Sequence, residues 1–178
     1  MITGHVFIAT SVDGFIARAD GDIGWLLERD DPTEDHGYAD FIMDMDAIVM
    51  GRGSYEKAVA SDTWPYDLPV VVLSKQLSGT PVPDSLQGKV RFSSLSPAQT
   101  MAELAHQNMR KVYVDGGQVV HSFLQHGLIE DMVITTVPVM IGTGKSLFGT
   151  LPHDIGLTLV SSRSFPSGLV QSTYRVSR

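Results

Sequence analysis

The apolar run Ala47-Ile48-Val49-Met50 meets glycine at once in Gly51-Arg52-Gly53-Ser54-Tyr55-Glu56, and this junction constrains the fold more than any other stretch. It reads as a buried strand turning directly into a helix. The arrangement recurs where Lys111-Val112-Tyr113-Val114 enters Asp115-Gly116-Gly117 and a helical stretch from about Gln118 to Gln125. That helix stops at Gly127, a residue able to take the left-handed conformation. Such junctions aim unpaired backbone N–H groups and the positive end of a helix dipole at one point. Arg52 and Ser54 stand beside the first of these points, which suits a phosphate.

Hydrophobic periodicity extends the alternation of strand and helix along the chain. His5 to Ala9 reads as a strand, followed by a loop rich in Asp and Gly from Ser11 to Gly24. Phe41, Ile42 and Met45 lie at helical spacing in the segment from Thr33, a capping residue, to Met45, and Ala47 to Met50 is the next strand. Ser54 to Ala60 is a short helix, Val70 to Leu73 a strand, and Gln76 to Gly88, with Pro81 and Pro83, a loop. Val90 to Phe92 is a weaker strand, after which Pro97 opens a helix with Ala98, Met101, Ala102, Leu104 and Ala105 on its apolar face. Asp131 to Val137 is another strand. Leu157 to Phe165 and Leu169 to Val176, joined by Pro166-Ser167-Gly168, form a hairpin. This order favours an α/β sandwich whose mostly parallel sheet ends in antiparallel strands.

A chain of 178 residues with 43% hydrophobic content supports one core, and no shift in composition divides it, so residues 1–178 are expected to form one domain. Its net charge of -7, with Lys and Arg scattered singly, argues against a nucleic-acid surface. No apolar run approaches the roughly 18 residues of a membrane span, and the N-terminus does not read as a signal peptide. A cytoplasmic protein is expected. The absence of cysteine excludes disulfides, thiolate nucleophiles and cysteine-held metals.

Open α/β sheets bind ligands at the carboxyl ends of their strands. Three such ends carry residues suited to a dinucleotide: Gly51 to Ser54 at a helix start, Ser74-Lys75 with a hydroxyl and a cation for a further phosphate, and Gly116-Gly117 for close backbone approach. Each has a plainer reading, as dihedral freedom for a turn or as a solvated loop, and it is their order along one sheet that points to a dinucleotide.

Other chemistries fit less well. Gly142-Thr143-Gly144-Lys145-Ser146 has the end of a phosphate-binding loop, but Val139 stands where that motif needs glycine and Pro152 follows too soon for its helix. Glu56 replaces the third glycine of the Rossmann fingerprint. His121 and His126 are five positions apart and point to different helical faces, so no metal site is expected. There is no Gly-x-Ser-x-Gly elbow. Tyr38, Phe41, Met43 and Met45 could line a pocket for a flat aromatic ligand, although apolar residues at this spacing also make core.

The ordered set Thr10-Ser11-Val12-Asp13-Gly14-Phe15-Ile16-Ala17, Val49 to Glu56, Val72-Leu73-Ser74-Lys75 and Val112 to Gly117 resembles the dihydrofolate reductase superfamily over nearly the whole chain. The Asp-Gly-Phe-Ile-Ala loop and Pro138-Val139-Met140-Ile141-Gly142-x-Gly144 are similar to the reductase domain of the riboflavin-pathway deaminase-reductase and its stand-alone bacterial relatives. The resemblance implies a three-layer dihydrofolate-reductase-like sandwich, an NADPH cofactor and a homodimer. It assigns Gly51, Arg52, Gly53 and Ser54 to the cofactor phosphates and Ser74 and Lys75 to the adenosine 2′-phosphate. Gly116, Gly117, Gln118 and Val119 fall along the pyrophosphate and nicotinamide ribose. Ala9 and Ile16 match nicotinamide-pocket positions, and Trp25 matches a tryptophan that closes the substrate loop.

Hydride transfer also needs a proton source, and the folate reductases carry a carboxylate on their first helix. Counting back from Gly51 places that carboxylate near Glu34 and Asp35, where acidic residues also suit a helix start, and Asp13 is a further acid beside the site. The implied activity is reduction of a pyrimidine- or pterin-like substrate, with 5-amino-6-(5-phosphoribosylamino)uracil reductase as the analogue. No zinc-binding deaminase motif is present, so only the reductase step is expected. The alternatives are a diverged dihydrofolate reductase and a non-catalytic NADPH-binding sensor.

Overall fold

A computed structural model describes residues 1–177. Along the chain, β1 (Thr3–Ser11), β2 (Phe15–Ala17) and the single-turn α1 (Gly24–Leu27) precede α2 (Tyr38–Met43) and β3 (Ala47–Gly51). Then come α3 (Arg52–Val59), β4 (Val70–Leu73), a 3-10 turn at Asp84–Leu86, β5 (Val90–Ser93), α4 (Pro97–His106) and β6 (Lys111–Asp115). The last third holds α5 (Gly117–Gln125), β7 (Ile129–Val137), β8 (Lys145–Ser146), β9 (Leu157–Ser164) and β10 (Val170–Val176).

Eight strands form one sheet in the order β5-β4-β3-β6-β1-β7-β10-β9, while β2 and β8 pair as a separate small ribbon. The pairs from β5 to β7 are all parallel, and β10 runs antiparallel to both β7 and β9. The mixed, mostly parallel sheet with an antiparallel C-terminal end is therefore the architecture the sequence predicts.

The central strands are buried on both faces because helices cover both. On one face Ala47, Val49, Val112 and Val114 pack with Met101 and Leu104 of α4 and Val120 and Phe123 of α5. On the other, Ile48, Met50 and Tyr113 pack with Met45 and Tyr55, and Phe41 and Ile42 of α2 close over them. Phe123 is fully buried, and truncating such a side chain to alanine costs about 3–5 kcal/mol. A smaller cluster of Trp25, Val137, Phe165 and Leu169 lies under the first loop.

Two local expectations change. The helix expected from Thr33 begins only at Tyr38, because side chains fold the preceding segment into turns: Asp31 accepts from the N–H and hydroxyl of Thr33, and Asp35 from the N–H of Gly37. Thr33 therefore caps no helix. The loop from Ser11 to Gly24 contains β2 and leads straight into α1, elements too short for periodicity to reveal.

Candidate functional site

The glycine junctions place two helix N-termini at the carboxyl ends of neighbouring strands, α3 after β3 and α5 after β6. Neither has a side-chain cap. The contrast with α4 is direct. There Ser96 and Gln99 form a reciprocal capping box behind Pro97, leaving little for a ligand to satisfy. Gly116 has φ +89°, open to glycine but strained for other residues, and a Cβ there would stand 2.9 Å from the Ser54 hydroxyl. A Cβ on Gly117 would collide with the Ser146 carbonyl of β8, which crosses this junction.

Leu73, Ser74, Lys75, Ser93, Gln118 and Val119 line one cleft of 340 Å³ beyond β4, β5 and the start of α5. The Ser74 oxygen accepts from the Leu77 N–H at 3.2 Å, which leaves its own hydroxyl proton to donate. Lys75 is exposed, its ammonium free to meet an anion in solvent. Arg52 pairs with Glu56 at 2.8 Å on the exposed side of α3, and Gly53 beside it is exposed. Lys145, from the glycine-rich segment that failed the phosphate-loop pattern, brings its Nζ within 3.9 Å of the Cβ position of Gly53 and within 3.3 Å of that of Gly21. A cation thus stands beside the α3 junction, supplied by β8 through a pairing no local motif could announce.

Asp115 is a further candidate, one that the sequence alone does not single out. It ends β6 between the two junctions, and Tyr113 Oη lies 3.2 Å from its Oδ1 and donates to the Phe7 carbonyl at 3.0 Å. Burial pushes its carboxyl above the ordinary range, opposed by hydrogen bonds from the Ser54 and Tyr113 hydroxyls and the Gly116 N–H. Ser54, expected on a phosphate, thus also faces this carboxyl. The available signal was an acid at the end of an apolar strand directly before a glycine pair.

The other candidates scatter. Ile16 packs beside Gly117, its Cδ1 3.3 Å from that residue's Cβ position, while Ala9 packs against the Trp25 cluster. Trp25 is 3% exposed within that cluster, and its indole N–H has no partner among the described residues. Both Asp13 oxygens accept backbone N–H groups, from Ile141 at 3.2 Å and Gly142 at 2.7 Å, tying the first loop to the segment before β8. The Ser11 hydroxyl, together with those N–H groups, holds its carboxyl below the ordinary range against desolvation.

Glu34 and Asp35 precede α2 rather than open it. Burial raises the Glu34 carboxyl, but the Ser167 hydroxyl at 2.5 Å, the Ser167 N–H at 2.8 Å and His36 outweigh it, and the net shift is downward. Glu34 therefore clips the β9–β10 turn. The Asp35 side chain turns back on Gly37.

A second cavity, of 260 Å³, lies on the α2 face of the sheet, lined by Tyr38, Ile42, Met43, Ile48, Tyr66 and Asp67 among others. Among the described residues no group of three or more His, Cys, Asp or Glu is placed to hold a metal, and no helix is long and apolar enough to cross a membrane.

A mostly parallel sheet with a cleft at its carboxyl edge, uncapped helix starts and a half-buried carboxyl beside them defines a dihydrofolate-reductase-like protein of the reductase type. Residues 3–171 match the RibD C-terminal domain, and the chain belongs to that family. It is 35% identical to a putative riboflavin biosynthesis protein from Shewanella sp. PV-4, with a TM-score of 0.92 over 99% of this chain and 100% of that one. The uncharacterized protein YwjB of Bacillus subtilis (strain 168) is 32% identical over 163 residues, 90% of each chain. A diaminohydroxyphosphoribosylaminopyrimidine deaminase/5-amino-6-(5-phosphoribosylamino)uracil reductase from Thermotoga maritima shares the fold at 16% identity, with a TM-score of 0.76 over 99% of this chain and 57% of its own. The fold and family are those of a riboflavin-pathway-type reductase domain.

Proposed function

We propose that the chain is an NADPH-dependent reductase acting on a pyrimidine- or pterin-like substrate, by analogy with the uracil reductase activity named for the Thermotoga maritima protein. One observation carries the reading: Ser74 and Lys75 share a single cleft with Gln118 and Val119 at an uncapped helix start, and Asp115 ends β6, the strand that leads into that helix. The residues fit the cofactor's chemistry. A hydroxyl donor with an ammonium suits the 2′-phosphate, and the free N–H groups of α5, crowded against glycine, suit a pyrophosphate. Arg52, Gly53 and Lys145 extend the cationic edge toward α3.

NADPH would supply the hydride, and the protein must supply a proton and exclude water. Reduction of a C=N or C=O bond places the hydride on carbon and the proton on the heteroatom. Asp115 holds a proton above the usual carboxylate range, and the Tyr113 and Ser54 hydroxyls fix its carboxyl at the cofactor edge. It replaces Glu34, Asp35 and Asp13 as the preferred acid, because each of those is committed to a structural bond.

Fluorescence titration with NADPH and NADH tests the cofactor assignment. Wild type should bind NADPH more tightly, and Lys75→Ala and Arg52→Ala should weaken it; equal affinities across the three proteins would sink the assignment. The expected homodimer is proposed to form along β9, the sheet edge, whose residues are all exposed and include Leu157, Leu159 and Val160 at 44%, 56% and 54%. Light scattering on wild type and Leu159→Glu should show a dimer and a monomer respectively; a monomeric wild type would end that proposal.

A further inference from the structure

We propose that the cavity between α2 and residues 65–68 is the subsite for the substrate ring and that it takes an uncharged heterocycle without a phosphate. This rests on the reductase reading above. The cavity shares a sheet face with Asp115: Ile48 lines it and pairs in register with Tyr113, whose side chain reaches the Asp115 carboxyl. Tyr38 and Tyr66, both lining residues, also feel the charge of Asp115. A ring in the cavity would lie on the same sheet face as the acid, two residues before it in the register.

The walls suit a flat ring. Tyr38 lies edge-on to Phe7 at 5.4 Å and to Tyr113 at 6.3 Å, and Phe41 meets Tyr113 at 5.2 Å. Tyr38 and Met43 remain 39% and 78% exposed, an apolar surface next to a cavity that a ligand would cover. Burial and the nearby Asp115 raise the hydroxyls of Tyr38 and Tyr66, which stay protonated as hydrogen-bond donors for a ring carbonyl or nitrogen.

The charges reject a phosphate. No lining residue is cationic, and the single charged one is Asp67. The Lys111 ammonium is paired with Asp44, the residue that follows α2. A phosphorylated ligand would therefore meet the Asp67 carboxylate with no counter-charge. The substrate thus differs in charge from the phosphoribosyl compound named for the Thermotoga maritima protein, with which this chain shares fold alone.

The test uses 5-aminouridine and 5-aminouridine 5′-monophosphate, titrated by calorimetry into protein already saturated with NADP+, so that the cationic cleft is filled. The nucleoside should bind at least about tenfold more tightly than its monophosphate, one factor of ten being about 1.4 kcal/mol. Tyr38→Ala should weaken the nucleoside about tenfold, and Asp67→Lys, at an exposed position, should abolish the discrimination. Equal or tighter binding of the monophosphate, or no binding of either compound, overturns the inference. Failure of NADP+ to bind in a preceding calorimetric titration overturns the reductase reading instead.

Discussion

The two clefts lie on opposite faces of the same sheet and offer opposite chemistries. The cleft beyond β4 and β5 is polar, with serine hydroxyls, Lys75 and an uncapped helix start. The α2-side cavity is aromatic and carries a carboxylate. Alternation along the strands produces this separation, because successive side chains point to opposite faces. Val112 and Val114 face α4 and α5, whereas Tyr113 faces α2, and Asp115, two residues on, shares the Tyr113 face. The sheet can thus hold an anionic cofactor on one face and a neutral ring on the other, with Asp115 on the ring's face at the end of β6.

The largest expected effect separates chemistry from binding. Asp115→Asn should lower turnover by about 10²–10⁴-fold, the usual contribution of a positioned acid, while NADPH affinity in fluorescence titration stays within about twofold. Because burial raises this carboxyl, it remains protonated above the ordinary carboxylate range and loses its proton as pH rises through the raised value. The wild-type rate should fall along that limb, and the variant's profile should lack it. A second substitution acts on the other cleft: Lys75→Ala should raise the NADPH Kd by about 10–100-fold, as expected for loss of a charge-assisted hydrogen bond, and leave NADH unchanged. Equal losses for both nucleotides would remove Lys75 from the 2′-phosphate.

A smaller effect concerns the junction between the clefts. Gly117→Ala must displace the Ser146 carbonyl, and overpacking of this kind costs about 1–3 kcal/mol, readable as a lower Tm and weaker cofactor binding together. The smallest effect lies in the clip made by Asp13. Its folded carboxyl sits below the ordinary value of about 4, so its contribution is present above that value and is lost as pH falls through the folded one. Asp13→Asn should lower Tm at neutral pH and flatten the acid limb of the Tm-against-pH curve; an unchanged limb would show that the clip does not stabilise the fold.

The strand-glycine-helix junctions were legible because a run of apolar residues, a glycine and a helix start are all local in sequence. The same locality exposed Ser74-Lys75. Asp115 was not legible as an acid, since its character comes from burial and from Ser54, a residue on a different strand-helix unit. Glu34 misled for a related reason: an acid near an expected helix start suited the dipole, yet its partner is Ser167 in the distant β9–β10 turn. The β2–β8 ribbon escaped because two strands of three and two residues carry no period to read. The aromatic residues at helical spacing line both core and cavity, and only the fold divides them: Met45 is buried, while Tyr38 and Met43 open to the cavity.

Gly117 and Gly144 each press a bare α-carbon against a carbonyl of the β2–β8 ribbon, Ser146 in one case and Ala17 in the other. For directed evolution this divides the molecule into a closed half and an open one. A mutational library over Tyr38, Met43, Tyr66 and Asp67 can explore new ring shapes without touching the packing that holds the ribbon in place. A library over the glycines would mostly return proteins in which the ribbon no longer packs against the start of α5.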